Sequence, residues 1–150
     1  MMKSIAALAV FAVLAPGVMD ETSLLHATPV DAMSAGSVKV TVNYTGAGKI
    51  DGAHRVWVWL FETPEIGPGS IPIAEMSVEK NGEAASFEVG NERVWIAVAY
   101  DEKGVMTGNA PPAPGSPIGI HASSTGAPEA VTPGAKGAIV LTFDDSQRMP

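Results

Sequence analysis

Two segments, Arg55-Val-Trp-Val-Trp-Leu-Phe61 and Arg93-Val-Trp-Ile-Ala-Val-Ala-Tyr100, are apolar on both faces of an extended chain. Their β-branched and aromatic residues read as strands. Side chains alternate across a strand, so Val56, Val58 and Leu60 point one way and Trp57, Trp59 and Phe61 the other. In the second segment Val94, Ile96, Val98 and Tyr100 oppose Trp95, Ala97 and Ala99. A sheet packed on one side needs only one apolar face. These two strands therefore require a sheet with a core beneath it and a second cover above it.

The rest of the chain fits the same class. Val38, Val40, Val42 and Tyr44 alternate with Lys39, Thr41 and Asn43, the pattern of a half-buried strand. Ile71 to Glu79 reads as a third strand, with Pro72 confining it to an edge or to its first residues. Asn81-Gly82 follows, the strongest short hairpin signal, and predicts that Ile73–Glu79 pairs with Glu83–Val89. Short strands are expected within 117–122 and 129–131, and Ala138–Phe143 is the last strand, with Ile139, Leu141 and Phe143 on one face. Even spacing without an amphipathic helix predicts an all-β chain. The expected architecture is one antiparallel β-sandwich of about seven strands with Greek-key connections.

Three parts are expected: a signal peptide at 1–17, a linker at 18–37 and the sandwich domain at 38–146. Lys3 precedes an uncharged apolar run, Ser4 to Ala15, closed by Pro16 and Gly17. That run is shorter than the roughly 20 apolar residues of a membrane span. Export to the periplasm or the extracellular space follows, with no membrane insertion after cleavage. Leu24-Leu25 is a candidate docking point in the linker. The chain has no cysteine, which excludes disulfides, thiolate metal sites and a Cys nucleophile. A net charge of −7 argues against a nucleic-acid partner, which needs a basic face.

Gly48-Lys-Ile-Asp-Gly-Ala-His-Arg-Val-Trp-Val-Trp-Leu60 resembles the opening of carboxypeptidase regulatory-like domains, which belong to the transthyretin-like (prealbumin-like) sandwiches. Val94 to Gly104 is similar to small exported bacterial sandwich domains, in which a strand runs into an Asp-x-x-Gly turn. The resemblance covers roughly 38–143 and implies a transthyretin-like fold. The chain departs from the family pattern at Asn81-Gly82 and at Gly90-Asn-Glu-Arg-Val94. One enzymatic branch of that fold hydrolyses 5-hydroxyisourate, with a His opening the domain and a C-terminal Tyr-Arg-Gly-Ser. Here the end reads Ser146-Gln-Arg-Met-Pro150 and no such His opens the domain, which disfavours that branch.

The chemistry-bearing residues are few. No Gly-x-Ser-x-Gly elbow accompanies His54 or His121, so a hydrolase would need a site without a motif. Asp101, in Asp-Glu-Lys-Gly104, is a candidate oxygen donor with Asp144 and Asp145, and calcium is the metal such donors would take. Zinc would need His54 and His121 with a carboxylate. Pro111-Pro-Ala-Pro114 sits in a long loop, 101–119, and reads as a stiff surface segment. The outer aromatic face supports two readings. Either the proline-rich loop or the Leu24-Leu25 region covers it, or Trp57, Trp59, Phe61 and Trp95 form a docking face for a protein or glycan partner. The expectation is an exported, non-catalytic module for binding or structural support in the cell envelope. A calcium-stabilised ligand- or glycan-binding sandwich and a hydrolase are the alternatives.

Overall fold

A computed structural model describes residues 36–150. The expected signal peptide and the Leu24-Leu25 docking point lie outside the described residues. Seven strands form two sheets and no helix occurs among the described residues. They are β1 (Gly36–Tyr44), β2 (Val56–Phe61), β3 (Ala74–Val78), β4 (Ala84–Val89), β5 (Trp95–Tyr100), β6 (Ile118–Ile120) and β7 (Ile139–Phe143). One sheet has the order β4-β1-β7 and the other β3-β2-β5-β6. The described residues form an all-β sandwich.

β1 turns inward the face its alternation specifies, and β2 and β5 turn inward their aliphatic faces. Val38, Val40, Val42 and Tyr44 of β1 meet Val56, Val58 and Leu60 of β2 and Ile96, Val98 and Tyr100 of β5 in one buried cluster. Phe87 of β4 and Leu141 and Phe143 of β7 complete it. At one end Tyr44 stacks on Tyr100, with ring centroids 4.5 Å apart, and Phe143 leans on Tyr44 at 5.0 Å. Tyr100 donates its hydroxyl to the Lys49 carbonyl at 2.9 Å, and the Tyr44 hydroxyl donates to Asp145. Polar tips are thereby satisfied where the rings leave the core.

Two pairings differ from the sequence reading. Asn81-Gly82 does not close a hairpin: β3 pairs with β2, β4 pairs with β1, and the dipeptide turns the corner between the sheets. Gly82 has φ +79°, the left-handed value the dipeptide was expected to supply. Asn81 is used differently. Its Oδ1 accepts from the Tyr44 N–H and its Nδ2 donates to the Tyr44 carbonyl, both at 2.8 Å. The side-chain amide thus acts as one more peptide unit alongside β1. The second difference is that β1 and β7 are parallel, so the sandwich is not wholly antiparallel. β6 falls within the expected 117–122, whereas 129–131 contributes one bridge, Val131 to Val94, rather than a strand.

Both central strands of the four-stranded sheet are buried on two faces, as their composition demands. Every residue of β2 except Trp57 and every residue of β5 except Trp95 is buried. The outer face of this sheet positions the candidate site.

Candidate functional site: a lidded pocket on the outer aromatic face

The register across β2, β5 and β6 sets large side chains beside small ones. Trp59 lies opposite Ala97, which lies opposite Ile120, while Trp57 lies opposite Ala99, which lies opposite Ile118. The two alanines leave a trough between the indoles of β2 and the isoleucines of β6. Trp59, Phe61, Ala97 and Ala99 form a second buried cluster, with Ile66 and Met106 descending on it from two loops. Trp57 and Trp59 stack with centroids 6.3 Å apart.

The cover is the loop between β5 and β6. Asp101 is 3 % exposed and builds its first turn. Its Oδ1 accepts from the Val105 N–H at 3.1 Å and its Oδ2 from the Met106 N–H at 2.7 Å. The loop then crosses the indoles, and Trp59 Nε1 donates to the Gly108 carbonyl at 2.7 Å. Gly108 is a glycine because of this close approach: a Cβ there would lie 2.5 Å from Trp57 Cζ3 and 2.6 Å from the Glu75 carboxyl. The far end is pinned by the C-terminal residues. Met149 and residues 115 and 116 exchange backbone hydrogen bonds of 2.8 and 2.9 Å. Arg148 donates to the Gly115 carbonyl at 2.6 Å and pairs in a two-pronged fashion with Glu102 at 3.1 and 3.2 Å.

An open docking face of Trp57, Trp59, Phe61 and Trp95 is therefore not what the structure presents. Trp59 is only 4 % exposed, with the proline-rich loop bonded to its indole, and Phe61 is buried as well. Trp57 and Trp95 are half-buried, and Trp95, the register partner of Phe61, stands outside the pocket lining. The Trp57 indole N–H is buried without a partner among the described residues. The cover is incomplete. Between the loop 62–73 and the loop 101–117 a cavity of about 350 Å³ remains. Its floor is Trp59, Phe61 and Ala97, and its walls include Ile71, Pro111 and Ile120. Among the described residues no ionisable side chain lines it, and Ser70 and Asn109 are the polar ones. Its size is that of a small-ligand site.

The candidate metal donors have other occupations. Both Asp101 oxygens are engaged by backbone amides, as above. Asp144 accepts from the Ser146 N–H at 2.8 Å, and bonds from Ser146 hold its carboxyl below the usual range. Asp145 accepts the Tyr44 hydroxyl and, at 2.8 Å, the Ala47 N–H, and these bonds lower its pKa. Burial, then the Asp145 carboxylate, push the Tyr44 hydroxyl up. His54 caps the turn made by Asp51, with Nδ1 at 3.0 Å from Oδ1, and His121 lies 3.9 Å from Glu129. Among the described residues no group of three or more His, Asp or Glu is gathered at metal-binding distance.

Sequence reasoning reached the floor of this site but not the pocket. The signal available was Ala97 and Ala99 beside tryptophans, together with Gly108 within the covering loop. Neither an established family nor a named relative adds to the geometry: no family model, no curated protein and no solved structure matches the chain.

Proposed function

We propose that the protein is an exported, non-catalytic β-sandwich module of transthyretin-like type that binds an apolar group in the pocket over Trp59 and Phe61. One observation carries this reading: a cavity of about 350 Å³ between two loops, with an aromatic floor and, among the described residues, no ionisable lining. A mainly apolar pocket of this size is typical of small-ligand sites, and the floor here is a buried aromatic pair, Trp59 and Phe61. Among the described residues the lining holds no acid or base, and its one hydroxyl, Ser70, donates to the Glu65 carbonyl at 2.8 Å, which supports binding over turnover. Export and a place in the cell envelope rest on the charge and apolar pattern of residues 1–17.

The test is a titration with a neutral apolar fluorophore such as N-phenyl-1-naphthylamine, read by probe emission and by tryptophan quenching. Saturable one-to-one binding is expected. Ala97→Leu, which places a larger side chain on the pocket floor, removes it while far-UV circular dichroism stays unchanged. Equal binding by Ala97→Leu, or no binding by the parent protein, refutes the assignment.

A further inference from the structure

We propose that the occupant of this pocket is an extended polypeptide segment carrying one apolar side chain between cationic ones, laid antiparallel or parallel along the free edge of β3. This rests on the binding reading above and names its partner. The apolar surface does not end at the pocket. Ile71, in its lining, is 86 % exposed, and Ile73, immediately before β3, is 44 % exposed. Exposed isoleucines continuous with a cavity mark a surface longer than a small molecule would need. They lead directly onto β3, an end strand of its sheet whose outer edge carries no strand among the described residues. An unpaired edge offers main-chain donors and acceptors to an added strand, and an adjacent pocket supplies side-chain selectivity.

Charge decides what kind of segment fits. The stretch from 62 to 79 contains Glu62, Glu65, Glu75 and Glu79 and no Lys, Arg or His. Glu79 pairs with Arg55 at 3.0 Å, whereas Glu62, Glu65 and Glu75 are exposed and make no ion pair among the described residues. Glu75 borders the covering loop at Gly108. The pocket is lined by no charged side chain among the described residues, so the group entering it is uncharged and the residues flanking it meet carboxylates. Residues 18–35 of this chain, with Asp20, Glu21 and Asp31 and no Lys or Arg, do not match that rim in charge.

The experiment is fluorescence anisotropy with labelled heptapeptides on the full protein, in competition with the naphthylamine probe. A peptide with a central leucine flanked by lysines is expected to bind saturably, to displace the probe and to weaken as salt is raised. Leucine to serine, or all lysines to glutamates, weakens it at least tenfold. N-methylation of alternate amides on one edge of the peptide weakens it likewise, because it removes strand pairing. Glu62→Gln with Glu65→Gln weakens the lysine peptide about two- to fivefold per carboxylate and leaves probe affinity unchanged. Probe binding without peptide binding, or equal affinity for the lysine and glutamate peptides, overturns the proposal and leaves the pocket standing. If neither probe nor peptide binds, the pocket reading fails as well.

Discussion

Gly108→Val tests the covering loop where it is most constrained. A Cβ at this position would meet Trp57 Cζ3 at 2.5 Å and Glu75 Cδ at 2.6 Å. Glu75 is exposed and can swing away, but Trp57 is stacked on Trp59 and paired through its backbone with Ala99. The loop must lift. Lifting breaks the 2.7 Å bond from Trp59 Nε1 to the Gly108 carbonyl, at a cost of about 1 kcal/mol. It also returns part of the Trp59 side chain to water. Exposing roughly half of a tryptophan's ~200 Å² at ~25 cal/mol/Å² adds about 2.5 kcal/mol. The inner core does not involve Gly108, so the variant folds. The expected loss is about 3.5 kcal/mol in urea unfolding followed by circular dichroism, with a red-shifted tryptophan emission and faster acrylamide quenching. A loss below about 0.5 kcal/mol with unchanged quenching would show that the loop does not seal the indoles.

Three further outcomes follow from the bonds described. Asp101→Asn turns one acceptor of the covering loop into a donor facing the Met106 N–H; a loss of about 1–3 kcal/mol is expected by urea titration, and chelation with EDTA is expected to leave the parent melting temperature in place. Asn81→Ala strips the Tyr44 backbone of both side-chain partners and should cost about 2 kcal/mol, whereas a hairpin turn position exposed to water would cost far less. Stability should fall at both ends of the pH range. The Tyr44 and Tyr100 pKa values are raised, chiefly by burial, so their contribution is complete below the ordinary tyrosine value of about 10 and is lost as the pH rises beyond it. Asp51, Asp144 and Asp145 are lowered, so theirs is present above about 3.9 and lost below it. Tyr44→Phe should flatten the alkaline limb of a stability–pH profile; an unchanged limb would remove Tyr44 from the account.

Alternation along single strands carried most of the fold. Val38 to Tyr44 supplies the inner core because a period of two leaves its burial no other solution, whereas Val56 to Leu60 and Ile96 to Tyr100, apolar on both faces, turn their aliphatic side to it. Pairing partners were less legible. Asn81-Gly82 has the conformational signature of a hairpin, yet positive φ at Gly82 serves a corner between sheets equally well. What decides between them is the distant β1, whose Tyr44 backbone takes up the Asn81 amide. The parallel pairing of β1 with β7 is likewise non-local. Of the site, the aromatic floor was readable from Trp59 and Phe61, and the Asp101–Gly119 loop was readable as a candidate cover. The cavity was not, because it depends on how far two loops approach each other over Ala97.

Trp59 is the residue on which the account turns, since it is at once the floor of the pocket and the partner of the covering loop. A protein in which Trp57 and Trp95 are both changed to phenylalanine reports on it alone. Emission from Trp59 should be blue-shifted, slowly quenched by acrylamide, and quenched to a single saturable endpoint by the neutral naphthylamine probe. Acrylamide quenching as fast as in the urea-unfolded chain, or an indole that the probe leaves unaffected, would contradict the claim that a lidded ligand pocket stands on this face.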